Sequence, residues 1–571
     1  MNQAETLAGK LVETDVLVLG GGAGGCAAAI SAGREGARVL MVEKGPLLTS
    51  GSLGMYPTTL HVVMKHRQPY EEALQIEREA IEGLVHPPVF DIIYQESFDR
   101  LQDLERWGIE FVKDRTTGDY AIREMVGLLH VYLADPVAKG FKPTIAREAL
   151  KAGARVEEWT MATNLLVSEG QVVGATGLNL RSGEFCVFRA KATILATGTG
   201  VRLYQPANGE PYMSWHCPYC SGDGHAMAYR AGAELANMEF PCATLVVKGL
   251  ASPRAIIFLH LGSNNGYLVN ALGERFMGRY DPLRLEGARR NLLCQAVLTE
   301  KREGRGPIYI DTRAIPSREV EATLGKWRKK GSEATLLQFL EAQGVQIGRD
   351  LLEVDVGEPS LYNGGVSGCV IGGNGETSLP GLYACGDSAS GLAVRGVMGA
   401  FAVGWRAGGH GAAHSKKERQ PPVDLTQVDR ERERIFAPLQ KRGRFSARQV
   451  EERLNQIMSD YVGFVRNESG LMTALEHIAR TRSRSAEVGA KDVHGLQKTL
   501  ELANLLDCSE MVTRAALFRC ESRCVPFHYR SDYPARDDEH WLAWSVIKKE
   551  KGTMLVKKRP LEARASHAGN I

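Results

Sequence analysis

The 571-residue chain is short of several features that would classify it at once. No run approaches 18 uninterrupted apolar residues, so the sequence predicts no membrane-spanning helix. The opening stretch, MNQAETLAGKLVETDVLVLG, lacks a cationic segment followed by an apolar core and a small-residue cleavage site, so no export signal is read. Charge of one sign is missing as well. Lys plus Arg at 70 against Asp plus Glu at 67 leaves +3, too little for a nucleic-acid binder unless the basic residues cluster on one face. The one modest cluster, at residues 548–551 and 557–559, reads as solvated hairpin tips. Eleven cysteines, an odd number without the close four-thiolate spacing of an iron–sulfur cluster, read as reduced thiols in a cytoplasmic protein. Internal repeats and low-complexity tracts are absent too.

What is present describes a large globular molecule. Hydrophobic residues at 44% with charged residues at 24% exclude a mostly disordered chain. At about one domain per ~150 residues, the length predicts three or four lobes. Glycine stands out: 62 of 571 residues is about 11%, against roughly 7% in average usage. A glycine-rich chain without collagen period bends its backbone around something.

Residues 15–43 predict a βαβ unit, with DVLVLG as strand, GGAGGCAAAISAGREG as a small-residue helix and ARVLMVEK as a second strand. Residues 64–125 read as helical and amphipathic, and a further helix is expected near 144–152. Short strands with turn signals then run back into the apolar strand ATILATG, and residues 240–350 read as an inserted lobe. The charged, proline-containing stretch SKKERQPPVD at 415–424 reads as a linker to a mostly helical region, which opens on a charge-alternating helix from Asp429.

Gly20, Gly22 and Gly25 supply GxGxxG spacing, and Glu43 closes the second strand 23 residues after the first glycine. The first glycine permits the tight turn, the second lets a pyrophosphate approach the backbone, and the third packs helix on strand. N–H groups at the helix start hold the phosphates, and the Glu43 carboxylate accepts from ribose hydroxyls. Two later segments return to the same theme. ATILATGTG ends in Ala196-Thr197-Gly198, and GLYACGD ends in Gly386-Asp387. A simple NAD-binding Rossmann domain does not need them, whereas two-dinucleotide-fold flavoproteins bring such segments back to one FAD. Lys44, Ser50, Gly51 and Asp223 complete the expected cofactor-binding set.

The combination of GGGAGGCAA, ATILATG, SGDGHAMAYRAGAELANMEF, GERFM, GRGPIYIDT and GLYACGD resembles the flavoprotein subunits of the fumarate reductase, succinate dehydrogenase and L-aspartate oxidase family. Within it, GAKDVH at 489–494 and ESRCVPFHYRSDYPARDDEHW at 521–541 are similar to the adenylylsulfate reductase flavoprotein (alpha) type. The resemblance implies an α/β, two-dinucleotide-fold FAD domain, Rossmann-like, at 1–240 plus 355–414. It also implies an inserted α+β capping domain at 241–354, a helical domain at 425–520 and a C-terminal segment at 521–571. The implied chemistry is exchange of a hydride or electron pair between flavin N5 and a small polar or anionic substrate. Electrons would pass to or from a ferredoxin-like iron–sulfur partner. A flavin-bearing conduit without its own substrate, and an oxidase using O2, are the alternatives. No histidine stands in Leu47-Leu-Thr-Ser-Gly-Ser-Leu-Gly54, where succinate dehydrogenases tether their flavin, so noncovalent FAD is expected.

The substrate side departs from these patterns. Fumarate-type members carry a histidine where this chain has Ser360-Leu361-Tyr362, and another where it has Gly391-Leu392-Ala393-Val394 before the matching Arg395. Adenylylsulfate reductases carry a basic residue where Pro241-Cys242-Ala243-Thr244-Leu245 stands. The candidate catalytic groups are therefore four. Arg395 is a permanently charged fork for a carboxylate or oxyanion, with FAD contact alone as its rival reading. His61 is a proton donor or acceptor, or a core histidine. Trp215 stacks on flavin or substrate, or packs in the core. Arg254 closes over an anionic substrate from the cap, or is solvated there. No metal site is expected. Cys217-Pro218-Tyr219-Cys220 has the CxxC spacing of the glutaredoxin motif, with buried structural thiols as the default reading.

Overall fold

The computed structural model describes residues 9–55, 59–134, 140–207, 209, 212, 214, 216–248, 266–313, 315–328, 337–338, 340–362, 366–392, 396–417 and 421–561. Its largest sheet has seven strands. Lys10–Leu19 lies parallel between Val39–Val42 and Phe185–Leu195, and Arg155–Glu157 extends the parallel set beyond Val39–Val42. The far edge of Phe185–Leu195 is shared. Its first half pairs antiparallel with Gln171–Asn179, which pairs in turn with Thr160–Ser168, and its end pairs parallel with Leu382–Ala384. Val16, Leu17, Val18 and Leu19 are all fully buried, as the near-continuous apolar run of a strand covered on both faces requires. Each contributes about 1.5–3 kcal/mol by leaving water.

Helices cover this sheet at close range. Ala23–Arg34 packs against Gly396–Lys417, and a Cβ on Gly404 or Gly408 would lie 2.2 Å from the carbonyl oxygen of Gly24 or Ala28. The two backbones therefore touch, which explains the run of small residues in both helices.

Among the described residues three antiparallel sheets accompany the main one. Leu245–Val247, Leu351–Val356, Ile308–Asp311 and Tyr267–Val269 form one, three of them inside the 240–350 span read as an inserted lobe and Leu351–Val356 just beyond it. The C-terminal hairpin Ala543–Glu550 and Thr553–Pro560 adds to Leu235–Ala236 and Gly368–Cys369. The third pairs Leu128–Tyr132 with Thr59–Val62 and Ile122–Met125. That last sheet modifies the helical reading of 64–125. Helices occupy Tyr70–Ala80 and Pro87–Arg106, but Val126 and Gly127 both take positive φ and close a two-residue hairpin instead.

Beyond residue 421 the chain is mostly helical, with Leu425–Phe436, Ala447–Tyr461, Glu468–Ser485 and Val493–Phe518. Each start is capped by a side chain: Asp424, Ser446, Asn467 and Asp492 accept from backbone N–H groups one or two positions inside their helices. A buried ion network ties the C-terminal segment to the rest. Arg519 pairs with Glu239 at 2.6 Å and with Glu521 at 2.8 Å, and Arg523 also pairs with Glu521, all four side chains being fully buried. Among the described residues no helix is long and apolar enough to cross a membrane.

Candidate functional site

Four parallel strands end at one crevice. Leu19 runs into Gly20, Val42 into Glu43 and Leu195 into Ala196, while Ala384 reaches Gly386 through Cys385. Open parallel sheets bind ligands outside the carboxyl ends of their strands. Here that region is a cavity of about 970 Å³, on which all three glycine-bearing segments converge.

The first segment builds a phosphate cradle from backbone. Gly20 has φ +104°, and a Cβ there would lie 2.3 Å from the Ala196 carbonyl oxygen, so the turn requires glycine. Gly25 sits behind the cavity wall, where a Cβ would meet the Gly20 oxygen at 1.9 Å. Gly22 is the opposite case. Nothing lies within 4 Å of the Cβ it lacks, and it lines the cavity. The helix that follows starts without a side-chain cap and without an acidic residue in its first turn, which leaves its N–H groups to an anion.

Glu43 stands at the end of the second strand, 8% exposed. Its Oε2 accepts from Gly21 N–H at 2.6 Å and its Oε1 from Gly45 N–H at 2.9 Å. A carboxylate offers about four lone-pair sites, so it can still accept from ribose hydroxyls. On the same rim the buried Ser50 hydroxyl has no hydrogen-bond partner among the described residues. An open glycine, an uncapped helix start and an orphaned hydroxyl fit a dinucleotide diphosphate.

The remaining expected residues fall into place around this cradle. Lys44, Gly51, Ala196, Thr197, Gly198, Asp223, Gly386 and Asp387 line the cavity, so of the expected cofactor set Gly25 alone lies behind it. Thr197 Oγ1 accepts from Gly224 N–H at 2.8 Å and lies 3.2 Å from Ser388 Oγ, which joins the second segment to the third. Lys44 is committed to protein partners. Its Nζ lies 2.6 Å from Asp223 Oδ2 and 3.7 Å from Glu501 Oε1, and it donates to the Tyr219 carbonyl at 2.9 Å. Burial opposes that charge, but Asp223 and Glu501 outweigh it and hold the ammonium above the usual lysine range. Burial likewise works to raise Glu501, yet Lys44, Arg202 and Lys498 bring it down to about 2.

The substrate side is built from side chains. His61 lines the cavity from the strand Thr59–Val62 and stands opposite His130, with ring centroids 4.4 Å apart. Arg395, Trp215 and Arg254 lie outside the described residues. Three residues that the sequence reading did not propose gather here. His216 and Tyr362 line the cavity with rings 4.3 Å apart. Burial, with help from Arg290, pushes the His216 imidazole down to about 3, so it is neutral near pH 7. Burial likewise pushes the Tyr362 phenol up to about 12. Behind Tyr362, Arg290 opens the helix Arg290–Arg302, its guanidinium 5.7 Å from the Tyr362 ring centroid and 3.6 Å from Cys242 Sγ. No carboxylate among the described residues pairs with it. In the sequence, Ala288-Arg289-Arg290-Asn291 looks like any solvated helix start, and only the fold distinguishes the second arginine. Among the described residues no group of three or more His, Cys, Asp or Glu side chains could hold a metal ion.

A backbone-built diphosphate cradle at the ends of parallel strands, with two further segments returning to it, defines an α/β dinucleotide-binding flavoprotein. Residues 15–400 match the family model described as FAD binding domain, and residues 451–568 the one described as fumarate reductase flavoprotein C-term. A fumarate reductase (CoM/CoB) polypeptide of Methanothermobacter marburgensis is 30% identical over 551 residues, which is 92% of this chain and 95% of that one. The succinate dehydrogenase flavoprotein of Rickettsia bellii is 26% identical, covering 92% of this chain and 91% of its own. Adenylylsulfate reductase from Archaeoglobus fulgidus shares the fold, with a TM-score of 0.86 at 24% identity across 97% of this chain and 96% of that one. The chain belongs to the fumarate reductase and succinate dehydrogenase flavoprotein family, and it is an FAD-dependent oxidoreductase.

Proposed function

We propose that the protein is the flavoprotein component of an enzyme that exchanges an electron pair with a small anionic substrate. Electrons pass to or from a separate ferredoxin-like iron–sulfur partner. When bound, FAD supplies a ring able to take or give two electrons toward a substrate and single electrons toward a relay. The residues of the cradle hold it: Gly20, Gly22 and the helix start at the diphosphate, Glu43 at a ribose, and Asp387 on the third segment.

The observation that carries the substrate class is Arg290, a guanidinium with no carboxylate partner among the described residues, set against Tyr362 on the chamber wall. From behind that wall its permanent charge favours an anion in the chamber. Arg395 supports the same reading, because its chain neighbour Gly396 lines the cavity. Its permanent charge binds the anion and stabilises negative charge that develops during transfer. His61 holds or releases the proton, with His130 packed on its ring to orient it. Trp215 stacking in the chamber and Arg254 closing from residues 241–354 complete the proposed set. The stretch Ser360-Leu361-Tyr362, where fumarate-type members carry a histidine, argues for an anion other than fumarate. The cysteines, eight of the eleven buried, supply no cluster of their own, so the relay belongs to another chain. Free thiols throughout support a cytoplasmic setting.

Anaerobic photoreduction of the flavin, followed by addition of candidate acceptors, tests this reading. Adenylylsulfate, fumarate, disulfides and small keto or enoyl acids form the panel, with a two-cluster ferredoxin as the relay. An anionic acceptor should reoxidise the flavin, and Arg290→Gln, which removes a positive charge behind the chamber wall, should slow it. Reoxidation by ferredoxin with every small acceptor inert would leave a conduit and refute the substrate assignment.

A further inference from the structure

The loop Cys217-Pro218-Tyr219-Cys220 has no part in the chemistry above, yet it is built as a pair. Cys220 N–H donates to the Cys217 carbonyl at 3.1 Å, closing a four-residue turn with Pro218 at its second position. Such a turn brings its end Cα atoms within about 7 Å, and a disulfide spans up to about 6.8 Å. The two thiols are close enough for each to shift the other's ionisation. Both cysteines are half-buried and line the cofactor cavity, and Tyr219 between them is 57% exposed. Every other cysteine except Cys520 is buried. Lys44 anchors the loop through the Tyr219 carbonyl. Cys220 is the inner member: a Cβ on Gly198 would lie 3.2 Å from its Sγ. The following helix begins at Asp223, so the pair occupies the turn before it.

We propose that Cys217 and Cys220 are a redox-active dithiol that a low-molecular-weight disulfide oxidises to an intramolecular disulfide. The Cys217 thiolate attacks one sulfur of the incoming disulfide, whose S–S bond breaks and releases one thiolate. Cys220 then gives up its proton and attacks the Cys217 sulfur of the mixed disulfide, and the second thiolate leaves. The protein loses two electrons and two protons, and the small disulfide becomes two thiols. Surroundings assign the roles. The adjacent Cys220 thiol, with the Tyr219 N–H and Lys44 adding to it against burial, brings the Cys217 thiol down to about 7. Cys217 beside it and burial push Cys220 well up. An attacking thiol is most effective with a pKa near ambient pH. The anion reading of Arg290 plays no part in this inference.

The full-length protein carrying its FAD is equilibrated with glutathione and glutathione disulfide at graded ratios, quenched in acid, alkylated and weighed intact and as peptides. Two alkylation sites should disappear together, both on the peptide holding residues 217 and 220. Cys220→Ser should trap one glutathionyl group on Cys217, and Cys217→Ser should modify Cys220 at least about tenfold more slowly, since little of that thiol is ionised near neutral pH. Alkylation of Cys217 in the reduced protein should be half-maximal near pH 7. A pair that stays alkylatable at every ratio overturns the proposal, as does a folded Cys220→Ser protein that gains no glutathionyl group. The wild-type measurement needs no substitution, so a misfolded variant cannot decide the matter.

Discussion

The two walls of the chamber are made of different material. One is backbone: a left-handed glycine, an uncapped helix start and the ends of four parallel strands. The other is side chains drawn from distant parts of the chain, with His61 from one sheet, His216 from a loop, Tyr362 beyond the second sheet and Arg290 behind it. A backbone wall is fixed by the fold that makes it. A side-chain wall can exchange its chemistry while the fold stands, which is how one family keeps its cofactor and varies its substrate.

That contrast can be broken most severely at Gly25. Alanine there would bring Cβ within 1.9 Å of the Gly20 backbone oxygen, a worse clash than the ~1–3 kcal/mol of ordinary overpacking. Gly25→Ala should yield little soluble protein and no bound flavin, judged by expression and the flavin-to-protein ratio. Next in size is the buried network. Glu239→Ala removes one partner of the fully buried Arg519 and should cost about 3–5 kcal/mol in denaturant unfolding.

Lys44 gives a smaller effect with a pH signature. Glu501 has an ordinary pKa of 4.5, and the fold holds it at about 2. Its contribution is therefore complete above about pH 4.5 and is lost as pH falls toward 2. Lys44→Met removes one of the three cations that hold it down, so the acid-unfolding midpoint should move to higher pH, as circular dichroism would show. Smallest of all is the exposed Arg480–Glu476 pair, with side chains 68% and 67% exposed. Glu476→Ala should change thermal stability by less than about 0.5 kcal/mol.

The same contrast explains what was legible in the sequence. Gly20, Gly22 and Glu43 lie within one contiguous βαβ unit, so their spacing carries their geometry. Thr197 and Asp387 were legible because each closes an apolar strand with a short glycine-bearing signature. Arg290 was not, because a helix-start arginine is solvated in most proteins and the aromatic wall that encloses this one arrives from Tyr362. Gly25 was legible as the glycine that packs helix on strand, and its space is indeed closed by the Gly20 carbonyl, behind the cavity rather than on it. The hairpin at Ile122–Tyr132 was hidden by amphipathic helices before it, since its reversal depends on the φ of Val126 and Gly127.

Cofactor binding depends on the cradle around Gly22, and a fluorescence titration of the apoprotein with FAD tests it most directly. Wild type should saturate at one FAD per chain and be unmoved by excess NAD. Gly22→Ala, whose added methyl meets no protein atom within 4 Å, should keep the wild-type apoprotein melt while losing at least about tenfold in affinity, or ~1.4 kcal/mol. Unsaturable binding, displacement by NAD, or an alanine variant that binds FAD as well as wild type would contradict it.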